Sequence, residues 1–336
     1  MPYPTFSSVA ILGTGSWGTA LAGLLAESCR EVVLIGRDPE IVAEINHLRT
    51  NKRYLPELAL PGNVSATLDY AAAGGHPLVL FVVPTAATRA AVEMLARQRL
   101  SNETVLLSCA KGIEVESGAR MSEIIASHFP NNPLAVLSGP NHAEEVSAKL
   151  ATCAVVGSAS EELACALQDL LFRPYFRAYT SADVAGIELG GAIKNVYAIA
   201  AGIAQGLGLG DNAIAAVVTR GLLEMTRLGT ALGGQPETFG GLSGVGDLMC
   251  TCYSRHSRNN RVGRALGQGA KLDDVVASLG MIAEGVINTR SVHSAATRAG
   301  VSTPLIDAVH AVLYEGKPAV HALRDLFQRD PRREMD

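Results

Sequence analysis

At 336 residues the chain is longer than one domain usually runs, and an apolar share of 48% can supply two buried cores. A net charge of −4 argues against a nucleic-acid binder, and no run approaches the ~20 uninterrupted apolar residues of a membrane span. Only 5% of residues are aromatic, so Ala, Val, Leu and Ile must fill the cores, with Gly and Ala allowing close helix packing. The opening MPYPTFSS has neither a basic region nor a long apolar core and does not read as a secretory signal. SVAILG then predicts a first strand running into Gly13, Gly15 and Gly18, followed by a helix, WGTALAGLLAES. A lone GxGxxG is weak, but here it sits between a strand and a helix, as a dinucleotide's phosphates require. Gly13 permits the turn, Gly15 admits pyrophosphate against the backbone, and Gly18 lets helix and strand approach.

The second strand, EVVLIG, ends at Gly36 and Arg37 before Asp38. An acid at that end would bind a ribose 2′-hydroxyl, whereas a guanidinium can pair with a 2′-phosphate. PEIVAEINHL predicts a helix. The apolar runs NVSAT, PLVLFVVP, TVLLSCA, PLAVLSGP and TCAVVGS predict further strands, with a helix at AATRAAVEMLARQ. Several runs are continuously apolar, as in parallel strands covered on both faces. Lys111 follows the TVLLSCA strand, and Gly139 follows PLAVLS, both at carboxyl ends where open α/β sheets bind ligands.

The βαβ rhythm stops after YFRAYTS, and from about Asp183 the pattern is helical. The expectation is an α/β, Rossmann-type, mainly parallel sheet domain over 1–186 followed by an all-α domain over 187–336. Lys194 lies in GGAIKNVYAIAAGIAQG, among glycines and alanines, where burial favours proton exchange at an ammonium. Asp247 follows the glycine-dense GLSGVG. In SRHSRNNRVGR, Ser257 reads as a helix cap, with Arg258 and Asn259 beside amides suited to a phosphate monoester. Six cysteines without zinc-type spacing suggest no metal site and fit a reduced, cytoplasmic compartment, with Cys250 and Cys252 structural.

The stretches GTGSWGTALA, NKRYLP, AKGIE, SGP, ELGGAIKNVYAIAAGI, GVGDLMCTC…SRN and AEGV occur in order over nearly the whole chain. Together they resemble the bacterial NAD(P)-dependent glycerol-3-phosphate dehydrogenases. The resemblance implies reversible reduction of dihydroxyacetone phosphate to sn-glycerol 3-phosphate with NADPH or NADH, feeding glycerophospholipid synthesis, and a homodimer. It implies that Ser16, Trp17, Arg37, Tyr54 and Ala143 contact the cofactor, with Ile282 and Glu284 joining from the helical part. Lys111 would touch cofactor and substrate; Gly139, Asn141, Asp247, Ser257, Arg258 and Asn259 would complete the substrate site, Arg258 also reaching the cofactor. Lys194 would be the proton donor in reduction. The chain departs from the family pattern at Asn141-His142 after SGP and at FVVPTAATR. The rival readings are a dehydrogenase of β-hydroxyacids or ketopantoate, which needs no phosphate grip, and a non-catalytic dinucleotide sensor.

Overall fold

A computed structural model describes residues 6–280, 282–330 and 333–334. The chain divides into two compact units, Met1–Ala110 with Arg120–Val184, and Lys111–Ala119 with Ala185–Asp336. The expected single division after residue 186 therefore gains an excursion. Segment 111–119 goes with the second unit because Lys111 is bonded there, by its ammonium to Asp247 and by its carbonyl to Asn288.

The first unit is built from β1 (Ser8–Leu12), α1 (Ser16–Leu25), β2 (Glu31–Ile35), α2 (Pro39–Leu48), β3 (Val64–Thr67), β4 (Leu78–Phe81) and α3 (Thr88–Ala96). It continues through β5 (Val105–Ser108), α4 (Met121–His128), β6 (Leu134–Ser138), α5 (Ala143–Ser147), β7 (Thr152–Gly157), α6 (Glu161–Leu171) and β8 (Phe176–Ser181). The strands form one sheet in the order β3-β2-β1-β4-β5-β6-β7-β8, parallel except where β7 runs antiparallel to β6. Leu78, Val79, Leu80 and Phe81 of β4 are all fully buried, which is why these strands read as unbroken apolar runs. β8 differs: Phe176 and Ala178 are buried while Arg177 and Tyr179 face solvent, so its alternation marks a half-covered edge strand. The strand order reverses between β1 and β4, the crevice where such sheets place a ligand.

The second unit is helical: α7 (Val184–Gly206), α8 (Gly210–Ala231), α9 (Pro236–Phe239), a π-helical turn at Leu242–Gly246, α10 (Asp247–Tyr253) and α11 (Arg258–Gly267). α12 (Leu272–Leu279), α13 (Glu284–Ala299), α14 (Pro304–Tyr314) and α15 (Ala319–Phe327) complete it. By length and composition α7 could cross a membrane, but 94% of its most apolar window is buried inside the protein, so it is a core helix. Its small residues have a clear use. A Cβ on Gly202 would lie 2.2 Å from the Asn260 carbonyl oxygen, and one on Gly263 would lie 2.0 Å from that of Ile199. Gly206 and Gly267 repeat the arrangement one turn on, so α7 and α11 touch backbone to backbone.

Candidate functional site

In the first unit, the glycine loop lies at the carboxyl end of β1. Gly13 has φ +120°, and a Cβ there would stand 2.3 Å from the carbonyl oxygen of Val82, just past β4. A Cβ on Gly18 would lie 2.0 Å from the Gly13 carbonyl oxygen, so helix and loop meet in van der Waals contact. Around Gly15, by contrast, a Cβ would meet nothing within 4 Å. Gly15 is the N-cap of α1, and no side chain caps that helix. An open approach to an uncapped helix start suits an anionic pyrophosphate. The Trp17 indole N–H is buried without a hydrogen-bond partner among the described residues. These features fit a dinucleotide.

The turn carrying NKRYLP straps this loop. Asn51, fully buried, donates from Nδ2 to the Thr14 carbonyl at 2.9 Å and to Thr19 Oγ1 at 2.8 Å, while Ser16 Oγ donates to the Tyr54 carbonyl at 3.4 Å. Gly36 continues the same packing, since a Cβ there would press on the Thr14 side chain at 2.7 Å. β2 ends at Ile35, so Arg37 lies two residues past the strand, exposed. Asp38 is the N-cap of α2, its Oδ1 accepting from the amides of Glu40 (3.0 Å) and Ile41 (3.5 Å). Gly139, at φ +127°, follows β6, where a Cβ would touch Ala154 Cα at 3.0 Å. Asn141 and Ala143 are buried around the start of α5.

In the second unit, three charged groups come together. Asp247, the first residue of α10, receives Lys194 Nζ of α7 on Oδ1 and Lys111 Nζ on Oδ2, each at 2.9 Å. Asp247 and Lys194 are only 3% and 6% exposed at the side chain, and Lys111 18%. Burial pushes the Asp247 carboxyl up, but the two ammonium groups outweigh it and hold the carboxyl below its ordinary range. Burial, with Lys194 nearby, lowers Lys111 despite the opposing carboxylate. Lys194 also donates to Thr251 Oγ1 at 2.5 Å, and that hydroxyl donates to the Asp247 carbonyl at 2.7 Å. Two of the ammonium's three N–H groups are thereby engaged, leaving one for a ligand.

Ser257 caps α11, its Oγ accepting from the Asn260 amide at 3.1 Å. Arg258 donates to the Ile282 carbonyl at 3.0 Å. Asn259 is fastened at both ends, donating to Asn195 Oδ1 at 2.8 Å and accepting from the Gly285 amide at 2.9 Å. One amide N–H of Asn259 remains. Ile282 is exposed, and Glu284 opens α13. Lys194, Lys111 and Asp247 thus form one cluster, while Ser257, Arg258, Asn259, Ile282 and Glu284 gather about the starts of α11 and α13.

Sequence reasoning passed over Thr251 and Asn288. Thr251 lies four residues after Asp247 and so on the same helical face, a spacing that could have shown it. Asn288, fully buried, holds the Lys111 carbonyl at 2.9 Å across 177 positions, which no local signal reveals.

Two family models match the chain: the N-terminus of NAD-dependent glycerol-3-phosphate dehydrogenase over residues 8–164, and its C-terminus over residues 183–324. The chain is 47% identical to a glycerol-3-phosphate dehydrogenase (NAD(P)+) of Enterococcus faecalis, over 98% of this chain and 97% of that protein. A crystal structure of glycerol-3-phosphate dehydrogenase from Coxiella burnetii is similar with a TM-score of 0.93 and 38% identity, over 97% of this chain and all (100%) of that one. A ketopantoate reductase of Ralstonia eutropha shares the fold at a TM-score of 0.61 with 19% identity, over 94% of this chain and 99% of that one.

Proposed function

This chain belongs to the NAD-dependent glycerol-3-phosphate dehydrogenase family, and we propose from that membership and its site that it interconverts dihydroxyacetone phosphate and sn-glycerol 3-phosphate, using NADPH or NADH. The observation that carries the reading is the buried Asp247 carboxylate shared by Lys111 and Lys194. When bound, the reduced nicotinamide supplies a hydride to the substrate's carbonyl carbon. Lys194 gives a proton to the oxygen on which negative charge grows, through the N–H that Asp247 and Thr251 leave available. Asp247 holds that ammonium in place, and Lys111 adds positive charge beside it. At the head of α11, Arg258, the remaining N–H of Asn259 and the first helix amides hold the phosphate, whose binding orients the distant carbonyl. Gly15 leaves room for the pyrophosphate, Gly13 and Gly18 let the loop close on β4 and α1, and Ser16, Trp17 and Tyr54 lie around it.

Arg37 sets the choice of nucleotide in this reading. The Asp38 carboxylate is spent on capping α2, so NADPH is accepted at least as well as NADH. The enzyme works as a cytoplasmic homodimer supplying glycerophospholipid synthesis, and its mass by sedimentation checks the dimer.

Turnover tests the activity. Dihydroxyacetone phosphate with NAD(P)H should react rapidly, while dihydroxyacetone and ketopantoate should be poor. Cofactor binding without turnover would make the chain a sensor. Faster reaction with ketopantoate would place it with the unphosphorylated-acid dehydrogenases.

A further inference from the structure

Arg53 is a residue to which the family resemblance assigns no contact. It stands in the NKRYLP turn, next to Tyr54, and its Nη1 lies 3.5 Å from Asp38 Oδ2. Its guanidinium also lies over the Tyr54 ring, 5.7 Å from the centroid. The Asp38 carboxylate is therefore satisfied on both oxygens, Oδ1 by the α2 amides and Oδ2 by Arg53. In this fold an acid near the end of the second strand is what would bind a ribose 2′-hydroxyl and repel a 2′-phosphate. Here that acid is neutralised by a second arginine, while Arg37 is exposed and enters no hydrogen bond or ion pair among the described residues. Arg37 and Arg53 together outweigh Asp38 in charge. A guanidinium 58% exposed and only loosely paired at 3.5 Å can swing to a stronger anion at little cost.

We propose that Arg53 is a specificity-determining residue for the 2′-phosphate of NADPH, masking Asp38 when that phosphate is absent and pairing with the phosphate when it is present. The inference rests on the reading that NADPH is accepted at least as well as NADH. It makes the strap over the phosphate loop also the sensor of the ribose.

The test uses fragments of the cofactor and no turnover. Calorimetric dissociation constants are measured for adenosine 2′,5′-bisphosphate and 5′-AMP on the wild type, Arg53→Ala, Arg53→Lys and Arg37→Ala. The wild type should favour the bisphosphate. Arg53→Ala should weaken it about tenfold, leave 5′-AMP within about twofold, and reduce the salt dependence of bisphosphate binding. Arg53→Lys should recover part of the loss, since a point charge replaces a fork. Unchanged bisphosphate binding in Arg53→Ala, with the wild type favouring that ligand and Arg37→Ala losing it, would overturn the role of Arg53 and leave the NADPH reading standing. Equal losses for both ligands would show that Arg53 serves the fold. A wild type that favours 5′-AMP would overturn the NADPH reading and this inference together.

Discussion

Lys194 and Asp247 stand 53 positions apart in the chain, yet Nζ and Oδ1 are 2.9 Å apart and both side chains are almost wholly buried. Neither charge is tolerable there alone, and the third member, Lys111, leaves the cluster with one positive charge in excess. That excess is what a reaction developing negative charge on oxygen can use.

Asp247→Asn should leave two ammonium groups without a counter-charge. Removing one member of a buried ion pair typically costs about 3–5 kcal/mol, so urea denaturation should show a loss of that order. Turnover should fall with it. A variant as stable and as active as the wild type would mean that the lysines are held by other groups.

Lys194→Ala should lower kcat by about 10²–10⁴ while leaving the dissociation constant for NADPH near its wild-type value. Stopped-flow turnover and a separate binding titration distinguish the two effects. More than half of the activity in a folded variant would remove Lys194 as proton donor.

Asn51→Ala should loosen the glycine loop from its strap and leave the Thr14 carbonyl only the longer, 3.5 Å bond from the Thr19 hydroxyl. KM for the nucleotide should rise up to about tenfold while KM for dihydroxyacetone phosphate stays within about twofold, because each lost buried hydrogen bond costs about 0.5–1.5 kcal/mol. Equal changes in both constants would point to general loosening.

Glu224 of α8 predicts a pH effect on stability. It is buried, accepts from the Leu305 amide at the start of α14 and from Tyr197, and burial pushes its carboxyl up to about 7. The folded state therefore holds the proton more tightly than the unfolded chain. Its contribution is complete below the unfolded value, near 4.5, and fades as pH rises through about 7. Across that window the loss amounts to about 3 kcal/mol at most. Glu224→Gln should flatten the slope, read as urea midpoints between pH 5 and pH 8, and an unchanged slope would assign it elsewhere.

Gly263→Ala should destabilise the second unit by about 1–3 kcal/mol or more, since its methyl would meet the Ile199 carbonyl oxygen at 2.0 Å. Thermal melting reads the effect directly.

Much of the fold was legible because burial on both faces writes itself as continuous apolar runs, as in LVLF of β4. β8 was harder to read: FRAYTS is only half covered and carries a polar alternation that any loop might show. The antiparallel turn of β7 was hidden, because strand direction depends on pairing between residues such as Leu137 and Val156 rather than on either segment. In the site, Lys194 and Asp247 stood out by their glycine-rich surroundings and Ser257 by its cap position. Asn259 was legible as a residue but not as a fastener of α7 and α13, for its partners Asn195 and Gly285 are far off in sequence.

The glycine seam between α7 and α11 leaves no side chain between the two helices where they cross. Lys194 rides on α7 and Arg258 begins α11, and where the two helices cross, main chain rests on main chain at Gly202, Gly206, Gly263 and Gly267. Side chains can repack when a substrate is too large; peptide groups already in contact cannot close further, and parting them forfeits the seam. With Lys194 as proton donor and Arg258 as phosphate holder, as proposed, the spacing of those two groups would be set by main chain rather than by side chains that can repack.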